Sequence, residues 1–144
     1  MKISKKGQYA LISVVDLALH GEQSHQSITD IATRQNIDQR YLGQIFFTLK
    51  NAGIISSVRG KNGGYFLQKA PSEVTAGDVV RTIEGDLAPT ICSSSKDEDV
   101  ECDTLGICHT RSLWQTLAHE INNTLDSITI SELATQYKKE SLER

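Results

Sequence analysis

Between residues 27 and 67 the spacing of apolar side chains changes period, and few folds accommodate that change. After Ser27, a good helix cap, Ile28, Ile31 and Ala32 lie on one helical face that runs out near Gln35-Asn36. After Asp38, Tyr41, Leu42, Ile45, Phe46 and Leu49 again share a face, leaving Gln39, Arg40, Gly43, Gln44 and Thr48 outward, and Gly53 is the expected stop. Residues 54 to 58 and 65 to 67 are then β-prone runs on either side of Gly60, Asn62, Gly63 and Gly64, which supply the positive φ a hairpin turn needs. Two short helices, a tight turn and a hairpin in that order form a helix-turn-helix with a wing.

The wing "SVRGKNGGYFL" (residues 57–67) puts Arg59 and Lys61 on a flexible turn. A solvated hairpin with ordinary surface cations has the same composition. The placement directly after a helix-turn-helix favours contact with a polyanion, and Arg suits a narrow, negative minor groove. Charge distribution agrees. The net charge is −3, but residues 1 to 81 hold ten Lys/Arg against six Asp/Glu, whereas residues 82 to 144 hold five against twelve. Only the first part is suited to face a polyanion.

Elsewhere the chain reads as mainly α. Tyr9, Ala10, Ile12, Ser13, Leu17 and Leu19 mark a first helix opened by Ser4 or Gly7 and closed by Gly21. Thr75 caps a helix through Val79, Val80 and Ile83 that Gly85 ends. Periodicity vanishes from 86 to 107, a stretch with Pro89, three consecutive serines and five acids between 97 and 103. It returns at Leu113, Leu117, Ile121, Leu125 and Ile128, with Trp114 and Ala118 widening the stripe, which predicts a helix over residues 110 to 128 that a second copy of the chain would cover. Packing of that helix onto its own domain is the alternative. Ser131 is expected to cap a last short helix before a charged tail. The expected organisation is a winged-helix domain at 1–85, a cysteine loop at 86–108, a dimerisation helix at 109–129, and a short helix and tail at 130–144. Apolar runs far below the roughly 18 residues of a membrane span, and no apolar leader after Met1, predict a cytoplasmic protein without membrane association.

Cys92, Cys102 and Cys108 lie within seventeen residues, spaced Cys-x9-Cys and Cys-x5-Cys. This matches neither paired zinc knuckles nor ferredoxin runs, so spacing does not name a metal. Three thiolates are soft donors suited to an iron–sulfur cluster, zinc or copper(I), and Cys108 immediately precedes a helix whose dipole favours the thiolate. His109, Glu101 and Asp103 are candidates for a fourth ligand. Free thiols, or one reversible disulfide with a spare cysteine, are the plainer alternatives. No cysteine is paired with a base and an oxyanion site on rigid elements, so an enzyme is not expected.

Three stretches together, "SKKGQYALISVVDLALH", "ITDIATRQNIDQRYLGQIFFTLKNAGIISSVRGKNGGYFLQKAPSEVTAGDVVRTIEG" and the cysteine triad ahead of "SLWQTLAHEIN", resemble the bacterial winged-helix iron–sulfur and redox-sensing transcription regulators, IscR-like and NsrR-like, over residues 2 to 134. The resemblance implies a homodimer that binds a double-stranded DNA operator, with recognition helices in the major groove and wings in the minor groove. By position, the DNA-binding residues would be Ser27 and Thr29, then Asp38, Gln39, Arg40, Tyr41 and Gln44, then Ser57, Arg59, Gly60 and Lys61 on the wing. It also implies an iron–sulfur cluster, two-iron rather than four-iron, on Cys92, Cys102 and Cys108 with His109 as a candidate fourth ligand. The sequence departs from the family pattern in places. Arg111 stands where IscR-like members have a histidine ligand, and Gln8 where NsrR-like members offer an acid from the partner. Gly43 replaces an acid that tunes operator choice, and the first cysteine gap is longer. The expected function is a transcription regulator, a repressor that can also activate, sensing cluster status or redox and nitric oxide stress. A thiol- or zinc-based sensor without a cluster, and a protein-binding module that regulates an enzyme, are the alternatives.

Overall fold

The computed structural model describes residues 2–21, 24–94 and 108–144. In chain order the elements are α1 (Lys5–His20), α2 (Ile28–Gln35), α3 (Gln39–Asn51), β1 (Ile55–Val58), β2 (Gly64–Leu67), α4 (Ala76–Glu84), α5 (Arg111–Ser127) and α6 (Ile130–Leu142), with 3-10 turns at Pro71–Glu73 and Ile91–Ser93. The fold is mainly helical with a small antiparallel sheet, the winged helix-turn-helix that the change of period predicts. Among the described residues no helix is long and apolar enough to cross a membrane.

Local chemistry sets most helix starts. Ser4, Ser27, Asp38 and Thr75 each accept a hydrogen bond from a backbone N–H in the first turn of α1, α2, α3 and α4, satisfying donors that the helix itself leaves unpaired. Asn36 ends α2 in the left-handed region (φ 53°), which reverses the chain so that the Ile37 N–H returns to Ala32 O at 3.0 Å and the Ile37 side chain enters the core. This is the tight turn of the helix-turn-helix. The last helix corrects one expectation: Thr129, not Ser131, caps α6, because Glu132 stands three residues after Thr129 and completes a reciprocal capping box, whereas Ala134 stands three after Ser131.

The core gathers on α1. Ala10, Val14 and Leu17 pack with Ile31 of α2, with Leu42, Ile45, Phe46 and Leu49 of α3, and with Ile55, Val79, Ile130 and Ala134. Burial of these side chains, worth about 1.5–3 kcal/mol for each large one, holds α3 so that its opposite face stays in solvent. α6 docks onto α1 through Ile130 and Ala134, and its start is tied to the start of α4 by Ile130 N–H to Val74 O and Ala76 N–H to Ile128 O, both 2.8 Å. The C-terminal helix is therefore part of the same core.

Candidate nucleic-acid interface and cysteine site

α3 presents the face its periodicity predicts. Gln39, Arg40 and Gln44 are exposed, while Tyr41 is half-buried edge-on against Tyr9, ring centroids 6.0 Å apart. Asp38 is occupied at the helix start, its carboxylate accepting from Tyr41 N–H at 3.0 Å. Ser27 likewise accepts from Asp30 N–H at 3.1 Å, and Thr29 Oγ donates to Gln39 Oε1 at 3.2 Å, joining the exposed start of α2 to that of α3.

The wing pairs Ile55 with Leu67 through Val58 with Gly64, leaving Arg59, Gly60 and Lys61 exposed at its tip. Lys50 of α3 donates to Ser57 Oγ of β1 at 2.7 Å, so helix and wing are in contact across the surface carrying the predicted residues. At the other edge Gln26 forms a bridge with Tyr65, exchanging backbone bonds of 3.0 and 2.7 Å. Gly64 permits it: its φ is +150°, and a Cβ there would lie 2.6 Å from Gln26 O.

A buried polar network, absent from the sequence reading, fixes this arrangement. Asp16 of α1 has no solvent exposure and accepts from Arg34 Nε at 3.0 Å, Arg34 Nη2 at 2.6 Å and Gln35 Nε2 at 2.7 Å. Arg34 also donates to Gln26 Oε1 at 2.9 Å, and Gln26 Nε2 donates to His20 O at 3.1 Å. Its hydrogen bond to Asp16 raises the Arg34 pKa, so the guanidinium is a fixed charge. The network ties α1, α2 and the wing to one point. One signal was present in the sequence: an acid at position 16 on the apolar face of a helix must find a cation.

The predicted cysteines flank residues 95–107, which contain Cys102, Glu101 and Asp103 and lie outside the described residues. Cys92 sits half-buried in the second 3-10 turn, its Sγ 3.3 Å from Thr90 Oγ. Cys108 is half-buried before α5, its Sγ 3.4 Å from Thr110 Oγ. The 3-10 turn packs on α5, and Cys108 lies three residues before that helix begins, so α5 is the element the two segments share. Their chemistry fits a thiophilic inorganic group: soft sulfur donors, each with a hydroxyl neighbour able to donate to a thiolate. His109 is exposed in the turn after Cys108, and Arg111 is exposed at the first position of α5. Gln8 is exposed and donates to Ile3 O at 3.1 Å. Among the described residues no group of three or more His, Cys, Asp or Glu side chains is gathered for a metal ion.

Comparison with known proteins gives consistent matches. A family model described as Rrf2, iron-dependent transcriptional regulator, matches residues 3–136. The HTH-type transcriptional regulator IscR of Vibrio atlanticus is 37% identical over 133 residues, covering 92% of this chain and 75% of that protein. Among solved structures, CymR, the global cysteine regulator of B. subtilis, superposes with a TM-score of 0.77 at 35% identity, covering 94% of this chain and 98% of that one. IscR of T. potens gives a TM-score of 0.77 at 32% identity, covering 95% and 88%.

Proposed function

The chain belongs to the Rrf2 family of transcriptional regulators, and from that premise we propose that it is a homodimeric regulator whose operator affinity is set by an iron–sulfur cluster held by Cys92, Cys102 and Cys108. DNA-binding regulation is the family's function; the cluster, the dimer and the reading residues are the proposal. The observation that carries it is the joining of an exposed, polar and cationic α3 face to a cationic wing by Lys50 and Ser57, on a chain where Cys92 lies in a turn that packs on α5 and Cys108 lies just before that helix begins.

In this reading Gln44 pairs with an adenine edge, Arg40 with guanine or phosphate, and Arg59 enters the minor groove, with Gln39, Tyr41, Ser57, Gly60 and Lys61 lining the approach and Ser27, Thr29 and Asp38 at the backbone. Leu113 and Leu117, exposed on α5, are the apolar surface a second subunit covers. When bound, the cluster supplies a redox-reactive group sensitive to oxidants and nitric oxide. The Thr90 and Thr110 hydroxyls orient the Cys92 and Cys108 sulfurs, and His109 is the proposed fourth ligand.

One observation favours a second reading, a thiol or zinc sensor without a cluster: the structural likeness extends to a global cysteine regulator. Anaerobic loading of the full chain with iron and sulfide, followed by an absorption spectrum and DNA titration at several salt concentrations, separates the cases. A broad visible band with a log-log salt slope of roughly −0.9 per neutralised phosphate supports the proposal. A colourless, zinc-containing protein with the same slope supports the second reading, and absence of duplex binding in every state overturns both.

A further inference from the structure

Phe47 does something on α3 that the core does not require. Its neighbour Phe46 is fully buried, yet Phe47 is 68% exposed. At about 100° per residue, Arg40, Gln44, Phe47 and Asn51 fall within about 60° of one another, so the ring belongs to the face proposed to enter the major groove, at one edge of that arc. Position 43, one turn earlier, is Gly, so that turn carries no side chain to cover the ring; a Cβ there would meet Ile28 Cδ1 at 3.7 Å. Arg40 and Lys50 are exposed on the same helix, and Lys50 reaches the cationic wing through Ser57, which makes the face unsuited to an apolar protein partner and suited to a polyanion. On that polyanion's base edges the apolar feature of the major groove is the 5-methyl group of thymine.

We propose that Phe47 is a specificity-determining residue that packs its ring against a thymine 5-methyl group in each operator half-site. Phe47 lies three residues beyond Gln44, roughly 4.5 Å along the helix axis, so the thymine is one to two base pairs from the base that Gln44 reads. Gly43 lets the ring lie flat along the helix toward that base. The inference rests on the operator-binding reading above, and its test separates the two.

The full chain, before and after anaerobic loading with iron and sulfide, is used to enrich binding sites from a random duplex library. Each thymine of the enriched site is then replaced singly by deoxyuridine, which removes only the methyl group, and affinities are measured for the wild type, Phe47→Leu and Phe47→Ala. The expected result is one thymine per half-site whose replacement weakens the wild type about fourfold, the effect of one buried methyl group. Phe47→Ala binds the unmodified site about tenfold more weakly and ignores that replacement, while Phe47→Leu still senses it. Because the side chain is exposed, thermal melts of both variants match the wild type. Indifference of the wild type to every thymine replacement, or retained sensitivity in Phe47→Ala, overturns the inference while leaving operator binding intact. Failure to enrich any duplex in either state overturns the operator reading, and this inference with it.

Discussion

Substituting Arg34 by Ala tests whether the buried network holds the wing-bearing half of the molecule together. Asp16 is fully buried and receives three side-chain hydrogen bonds, two of them charge-assisted from Arg34. Removing the guanidinium leaves a carboxylate sealed from water with Gln35 as its one remaining short donor, the His20 Nδ1 being 3.5 Å away. Breaking a buried pair in this way costs about 3–5 kcal/mol. The lower end applies here, since Gln35 remains and Arg34 is itself partly exposed. At about 3 °C per kcal/mol for a chain of this size, the midpoint of a thermal melt followed by circular dichroism should fall about 10 °C. The Asp16→Asn/Arg34→Met double variant, which removes both charges, should recover more than half of that loss. A fall of under 3 °C for Arg34→Ala, or a double variant no better than the single one, would show that the carboxylate does not depend on its partner.

Arg59→Ala should weaken operator binding at least tenfold and lower the magnitude of the log-log salt slope by about one, read by fluorescence anisotropy; unchanged affinity removes the wing from the interface. Gly64→Ala forces a Cβ to within 2.6 Å of Gln26 O at a φ of +150°, and should cost on the order of 2 kcal/mol in a urea titration while weakening DNA binding through the displaced wing. Leu113→Asp combined with Leu117→Asp should give a monomer by analytical ultracentrifugation with helix content retained, because both side chains are exposed in the single chain; a persistent dimer refutes the α5 interface. Arg81→Ala removes hydrogen bonds to Asn122 and Asp126, and should shrink the difference in operator affinity between loaded and unloaded protein severalfold with little change in melting temperature.

What could be read from the sequence was what short-range chemistry decides. The caps Ser4, Ser27, Asp38 and Thr75 work through an N–H three residues away, and α5 runs from Arg111 to Ser127 within one residue of the stripe's expected limits. The wing was legible because Gly60 and Gly64 take the positive φ expected of its turn, although Asn62 and Gly63, expected to do the same, do not. Contacts between distant segments were not. Nothing near Gln26 announces that its backbone pairs with Tyr65, and Asp16 finds Arg34 eighteen residues away, across the α1–α2 packing. Phe47 was hidden by its neighbours: in Ile45-Phe46-Phe47 three apolar residues run together, and only the helix phase shows that the third faces solvent. The third cysteine, Cys102, lies outside the described residues.

These contacts also indicate where the proposed sensing acts mechanically. The 3-10 turn bearing Cys92 packs on α5; α5 meets α4 through Arg81, hydrogen-bonded to Asn122 at 2.9 Å and Asp126 at 2.5 Å; α4 in turn packs on α1 and α3, and Glu84 at its end accepts from the backbone and hydroxyl of Ser4. The links differ in strength. Asp16 and Arg34 form a buried lock, but the Arg81–Asp126 pair has side chains 31% and 46% exposed, and pairs of that kind are worth about 1 kcal/mol or less. Allosteric coupling amounts to about 1–3 kcal/mol, enough to open the second and at most equal to the cost of opening the first, so the second gives way first. A change of ligation at the cysteines should therefore be taken up at the α4–α5 joint, with each winged helix-turn-helix moving as a rigid body. In a dimer built on α5, such a movement alters the separation of the two recognition helices while leaving the internal geometry of each reading head unchanged.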